Sequence, residues 1–78
     1  MRYFFSIRDN EKFIEDGEGA ELPDLAAAIV ECRQAIREMI ADMVRKGEPI
    51  DGQVFEISDT TGNILATLPW RKEIKFDD

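Results

Sequence analysis

The side chains best suited to chemistry in this 78-residue chain are carboxylates, which crowd between Asp9 and Asp24. Seven acids stand there against one base, Lys12, so the segment carries −6 of the net charge of −7. Carboxylate oxygens can bind a hard cation such as Ca²⁺, and a negative field can attract a basic protein patch. Three readings stay open for Asp9–Asp24: a cation site, a surface for a basic partner, or a solvated acidic loop.

Two pairs within this segment have a spacing that acid–base catalysis could use, Glu15 with Glu18 and Asp16 with Glu21. Catalytic pairs need pKa values pushed apart by their surroundings, which an exposed loop flanked by glycines does not provide. The chain has no histidine, which excludes Ser-His-Asp and Cys-His machinery and a conventional zinc site. We therefore predict no catalytic residue, no metal ligand and no cofactor, and a protein that is not an enzyme.

Other reactive side chains have ordinary structural explanations. Cys32 is expected to be a small buried side chain on the apolar side of a helix. Arg33 and Arg37, one helical turn apart, could bind a phosphate or a partner's carboxylates, or be solvated or paired within the chain.

The C-terminal tail mixes an aromatic residue with bases, Trp70 with Arg71, Lys72 and Lys75. Such a mixture can stack on single-stranded nucleic acid. We expect instead that Trp70 packs at the edge of the core, and the acidic balance of the chain disfavours any nucleic-acid partner.

The elements that must position these residues can be read from periodicity. Residues 2–8 predict a strand with Tyr3, Phe5 and Ile7 on one face, and residues 12–15 a short strand. Residues 24–46 predict a helix with Asp24 as its N-cap and Gly47 just beyond its end.

Residues 53–58 and 63–68 predict a hairpin around the turn Asp59-Thr60-Thr61-Gly62, and Pro69 is expected to end the second strand. The order is β(β)αββ. The predicted fold is α+β, an antiparallel sheet of three or four strands with one long helix packed on one face.

The length predicts one domain over residues 1–78, with a core of about 2–70 and a tail of 71–78. The chain shows neither a signal-peptide core nor a run near the ~20 apolar residues of a membrane helix. Its lone cysteine fits a reducing compartment. We predict a cytoplasmic protein with no membrane partner.

The apolar surface exceeds what so small a core can bury. One face of the sheet is left open with Phe4 on it, and the predicted helix has a second apolar flank. A homodimer would cover this surface, so we predict an interface made by Phe4, Val30, Arg33, Arg37 and Val44, with another small protein as the alternative partner.

Several segments together resemble a domain-of-unknown-function family of short bacterial proteins. The shared features are an aromatic strand ending in Arg-Asp, an acidic stretch leading into an Ala-rich helix, and a C-terminal hairpin. They are carried here by Arg2-Tyr3-Phe4-Phe5, Arg8-Asp9, Glu18-Gly19-Ala20-Glu21-Leu22-Pro23-Asp24-Leu25-Ala26-Ala27, Phe55-Glu56-Ile57 and Leu65-Ala66-Thr67-Leu68-Pro69-Trp70. The resemblance spans roughly residues 2–70 and implies no particular activity.

A weaker likeness is to the toxin-binding domain of HicB-type antitoxins, which also places strands before a Glu-Leu-Pro-Asp-Leu stretch and a helix. The glycine-rich turn usual after that stretch is missing here, as is a DNA-binding domain. The leading prediction is thus a homodimeric protein–protein interaction or regulatory module. The alternative is a single-domain toxin inhibitor.

Overall fold

A computed structural model of the chain describes residues 1–73. Within them the backbone forms five strands, one α-helix and a short 3₁₀ helix at Trp70–Glu73. In chain order the strands and helix are β1 (Arg2–Asp9), β2 (Lys12–Ile14), β3 (Ala20–Glu21), α1 (Leu25–Lys46), β4 (Val54–Ser58) and β5 (Ile64–Pro69). Lys75 and the rest of the predicted tail after Glu73 lie outside the described residues.

The strands form one antiparallel sheet with β1 in its middle. β1 pairs with β4 on one side, where Phe5 lies opposite Ile57 and Ile7 opposite Phe55. On its other side β1 pairs with β2 near one end and with β3 near the other. β4 pairs in turn with β5, which gives the order β2-β1-β4-β5. The predicted α+β fold is confirmed.

The strand count differs from the prediction, since the sheet has five strands rather than three or four. The extra strand, β3, consists only of Ala20 and Glu21, which lie opposite Tyr3 and Arg2. A strand of two residues is too short to show period-2 alternation, so the sequence pattern could not predict β3. Their strand conformation comes from pairing with β1.

The helix α1 begins and ends where the sequence predicts. The Asp24 carboxylate accepts a hydrogen bond from the Ala27 amide at 2.9 Å and satisfies a donor in the first turn. Gly47 takes the left-handed conformation with φ 72°, and its amide donates to the Val44 carbonyl at 3.2 Å. A glycine adopts this conformation without the steric cost that a side chain would add.

The core lies between α1 and one face of the sheet. Because side chains alternate along a strand, Tyr3, Phe5 and Ile7 face the helix while Phe4 and Ser6 point to the other side. The buried apolar side chains are Tyr3, Ala28, Cys32, Ile36, Phe55, Ile57, Leu68 and Trp70. No described helix covers the opposite face of the sheet, which is called here the far face.

The predicted turn between β4 and β5 is also confirmed. The Gly62 amide donates to the Asp59 carbonyl at 3.1 Å, which closes a four-residue turn, and Gly62 has φ 87°. The pairing shifts register at Ile57 and Ser58, a bulge for which the sequence holds no clear signal.

Candidate functional site

One carboxylate ties the acidic segment to the sheet. Asp16 Oδ2 accepts a hydrogen bond from the Phe5 amide at 3.0 Å. Its Oδ1 accepts from the amides of Glu18 and Gly19, each at 3.2 Å. The Asp16 amide in turn donates to Ser6 Oγ at 3.3 Å. Between β2 and β3, where β1 has no strand partner, this Asp16 loop (residues 15–19) takes the place of one.

These hydrogen bonds keep the Asp16 carboxylate ionised. Burial by itself raises the pKa of the Asp16 carboxyl, but the amides of Phe5, Gly19 and Glu18 stabilise the ionised form and bring the pKa below its ordinary value. Glu21, whose spacing from Asp16 could have suited acid–base catalysis, instead contacts the N-terminal amine at 3.3 Å and Arg2 at 3.5 Å. Asp16 and Glu21 therefore hold separate structural contacts.

Gly19 allows the Asp16 loop to lie against β1. It has φ 72°, and a Cβ at this position would stand 2.8 Å from the Tyr3 carbonyl oxygen and 3.0 Å from the Phe4 ring. Both conditions require glycine. The close approach half-buries Phe4.

The far face carries an open groove of about 390 Å³, called here the far-face groove. Its lining combines apolar, acidic and hydroxyl side chains from β1, β2, β4, the start of β5 and the flanking loops. The apolar members are Phe4, Phe13 and Ile64, and the carboxylates are Glu15, Asp16, Glu56 and Asp59. Against these four acids, the part of the lining that residues 1–73 provide holds a single cation, Arg8.

Arg8 is fixed within the far-face groove by two neighbours. Its Nε lies 2.9 Å from Glu56 Oε2 and its second nitrogen 3.5 Å from Glu56 Oε1. Its guanidinium carbon stands 4.7 Å from the centroid of the Phe13 ring, within the range of a cation–π contact. The hydrogen bond and charge of Glu56 raise the pKa of Arg8. The charges of Arg8 and Glu56 thus cancel. The net negative charge of the groove comes from Glu15, Asp16 and Asp59.

Asp59 is held by its own turn. Its Oδ1 accepts from the Thr61 hydroxyl at 2.8 Å and from the amides of Thr61 and Asn63 at 2.9 and 3.0 Å. The Thr61 hydroxyl is the main cause that lowers the pKa of Asp59, and the amides add to it. The carboxylate is consequently ionised at neutral pH.

The five predicted interface residues fall on two separate surfaces. Val30, Arg33, Arg37 and Val44 share one exposed side of α1, called here the helix flank. Val30 is 55% exposed and Val44 65%. Phe4 lies on the far face of the sheet beneath Gly19, away from the helix. A single interface cannot include both sets as one continuous patch.

The two arginines of the helix flank differ. Arg33 Nε lies 3.2 Å from Glu73 Oε1, and the Glu73 side chain is only 14% exposed. This contact fastens the 3₁₀ helix to α1 and confirms internal pairing for Arg33. Arg37 is exposed on the same flank.

Cys32 and Trp70 both belong to the core. Burial, with a contribution from the charge of Glu73, raises the pKa of the Cys32 thiol to about 12. Trp70 is 5% exposed, and its ring centroid lies 5.6 Å from that of Phe55. The interpretation of Cys32 as a small buried side chain is confirmed. Trp70 packs in the core as expected, where it cannot stack on bases.

A second cavity of about 350 Å³ opens between α1 and the side of the sheet that faces it. It is lined almost entirely by apolar side chains, with Glu31 as its one charged member: Phe5, Ile7, Ala20, Glu31, Cys32, Ala35, Met39 and Phe55. Ligand sites also need a few convergent polar groups to fix orientation. This cavity lacks such a set.

Residues 1–73 contain neither a metal-binding cluster nor a membrane-spanning helix. No group of three or more acidic or cysteine side chains there is arranged to hold a metal ion. Nor does this part of the chain contain a helix with the length and apolarity needed to cross a bilayer.

Comparison with known proteins identifies a family for this chain. A family model described as a domain of unknown function, DUF6894, matches residues 2–71. The predicted resemblance to a domain-of-unknown-function family is confirmed, and the match gives no support to the HicB likeness. No curated protein and no solved structure matches the chain.

Proposed function

We infer that this chain, which belongs to the DUF6894 family, is a protein–protein interaction module of the bacterial cytoplasm that assembles as a homodimer and is not an enzyme. The observation that carries this proposal is the amount of apolar surface left outside the core. Eight apolar side chains are buried, and eight large apolar side chains are exposed among residues 1–73. The exposed ones are Met1, Phe13, Ile14, Val30, Met39, Val44, Ile64 and Leu65.

The dimensions of the fold support the same reading. The domain is only 17 Å thick along its shortest axis, and its radius of gyration is 12.8 Å. A compact chain of this length is expected near 11.5 Å, about 2.2·N^0.38. A two-layer fold this thin buries little surface on its own, and association with a second copy adds stability that rises with the logarithm of concentration.

The helix flank is the surface that suits a homodimer best. Val30 and Val44 stand about 21 Å apart along α1, at ~1.5 Å per residue, so they mark out a stripe along most of the helix. A twofold axis would bring the same stripe of both copies together. The aliphatic stem of Arg37 can cover apolar surface while its guanidinium reaches a carboxylate of the second copy.

Sedimentation equilibrium at micromolar concentration tests the proposal. We expect a mass near twice 8.9 kDa, reduced to that of a monomer by Val30→Glu with Val44→Glu. Ile64→Glu is the matched control, because Ile64 is 57% exposed and lies on the far face instead. A wild-type chain that sediments as a monomer at every concentration would overturn the dimer.

The excluded partners follow from charge. A net charge of −7 repels a phosphate backbone, which supplies most nucleic-acid affinity. The proposal that the chain is not an enzyme rests on Asp16, Asp59 and Glu56, which serve as structural acceptors, and on the thiol of Cys32, which stays protonated. Turnover of any substrate by the purified chain would overturn it.

A further inference from the structure

We propose that the far-face groove binds a basic segment of another protein, with lysine or arginine side chains of that segment lying against its carboxylates. This inference uses none of the residues of the helix flank. It therefore stands or falls independently of the homodimer.

Charge complementarity is the first argument. Among the described residues, four carboxylates and one guanidinium line the groove, and together they carry a formal charge of −3. Arg8 is already satisfied by Glu56 at 2.9 Å, and the bonds that hold Asp16 and Asp59 come from neutral amides and hydroxyls. Neutral donors leave the negative charge in place, so a cationic side chain is attracted to it.

The shape of the groove is the second argument. Phe4, Phe13 and Ile64 provide apolar surface beside the carboxylates, and Phe13 and Ile64 are 47% and 57% exposed. Lysine and arginine have long apolar stems that pack on such surface while the charged ends reach outward. A volume of about 390 Å³ lies within the ~300–1,000 Å³ range of ligand pockets and gives room for more than one such stem.

The groove already holds one guanidinium in this manner. Arg8 stands over the Phe13 ring at 4.7 Å and pairs with Glu56 on the neighbouring strand. The part of the Phe13 ring that Arg8 leaves exposed lines the groove together with Glu15, and the two offer an aromatic surface and a carboxylate to an incoming segment. The fit is to a basic side chain, whereas a phosphate would meet three uncompensated acids.

The test titrates the ¹⁵N-labelled full chain with a decapeptide of alternating lysine and alanine at low salt. We expect amide shift changes at Ser6, Glu56 and Ser58, on the far face, and none at Glu38 on α1. Glu15→Gln is expected to raise the dissociation constant about two- to fivefold, the effect of one exposed charge. Added salt should raise the dissociation constant further.

Glu38→Gln is the matched control, since it removes the same charge from an exposed position of α1. We expect it to leave the dissociation constant unchanged within twofold. Equal weakening by Glu38→Gln, equal binding of the peptide with glutamate in place of lysine, or the same far-face shifts with spermidine alone would each overturn the proposal. So would far-face shifts that follow dilution of the chain without peptide, because they would assign the groove to a second copy.

Discussion

Asp16 and Asp59 each hold a loop in place by accepting hydrogen bonds from backbone amides. Each ionised carboxylate accepts hydrogen bonds from backbone amides that have no strand partner. For Asp59 the Thr61 hydroxyl is the main cause of the lowered pKa and the amides add to it, whereas for Asp16 the amides alone bring the pKa below its ordinary value against the effect of burial. They differ in reach. Asp59 bonds only to Thr61 and Asn63, within four residues, whereas Asp16 bonds to Phe5, eleven residues earlier.

The difference in reach separates a local turn from a tertiary contact. The Asp59 turn can form wherever its five residues are, because all its partners travel with it. The Asp16 loop forms only when β1 is in place, and it closes an edge of β1 that would otherwise be unpaired. We therefore expect Asp16 to control the stability of the whole sheet edge, and Asp59 only that of its own turn.

The largest effect is expected from Asp16→Ala. Three backbone amides lose a charged acceptor, and we expect a loss of about 3 kcal/mol in the free energy of unfolding. Urea denaturation measures the loss, and hydrogen exchange should show faster exchange at the Phe5 amide. A loss no greater than that of Asp59→Ala would break the comparison.

Gly19→Ala should lower the free energy of unfolding somewhat less, by about 2 kcal/mol. Most of this loss comes from placing a side chain on a left-handed backbone. The contact of the new Cβ with the Tyr3 carbonyl at 2.8 Å adds to this cost. Gly17→Ala is the matched control, because nothing lies within 4 Å of its Cβ position and its φ is not positive. Equal losses from both variants would show that the Asp16 loop does not need close contact with β1.

Acid should weaken the wild-type chain but leave the stability of Asp16→Asn less affected. The folded-state pKa of Asp16 is lowered, so its stabilisation is present above the unfolded value of ~3.9 and is lost as pH falls through the folded pKa. We expect the two chains to differ by about 1 kcal/mol at pH 7, and the difference to shrink below about pH 3.9 and to vanish only below the lowered folded pKa of Asp16. Urea midpoints at pH 7, 5, 4 and 3 measure this, and a difference independent of pH would contradict it.

The smallest effect is expected from Asp59→Ala, which should lower the melting temperature by a few degrees at most. Asp59 is bonded only to its own turn, where water can replace the lost acceptor. Thermal denaturation followed by circular dichroism measures the change. Faster exchange at the Phe5 amide in this variant would show that the two loops are coupled.

The same contrast explains what the sequence could predict. The cap at Asp24, the stop at Gly47 and the turn from Asp59 to Gly62 all depend on partners a few residues away, so composition and spacing indicated them. The strand β3 and the role of Asp16 depend on β1, and no local pattern records that neighbour. Burial of Cys32 was predictable because helical periodicity marks the covered face.

The groove and the interface residues show the same limit. Alternation along β1 put Phe4 on the far face, but its separation from Val30 and Val44 follows from the packing of α1 on the opposite side. The sequence allowed Arg33 to bind a phosphate or a partner, to be solvated, or to pair within the chain. Only the fold places Glu73 3.2 Å from it. Charge counting located the acidic segment correctly, while the contribution of Glu56 and Asp59 to the same groove required the strand order.

The middle position of β1 bears on how the chain is synthesised. Phe5 pairs with Ile57, so a ribosome releases β1 about fifty residues before its inner partner, roughly 3–10 s at usual rates. During that interval β2, the Asp16 loop and β3 can close one side of β1, but the other side waits as an unpaired edge of the kind that draws neighbouring chains together. The carboxylates of Asp9–Asp24 emerge with the end of β1 and directly after it, and like charges on adjacent nascent chains oppose pairing at that edge until β4 arrives.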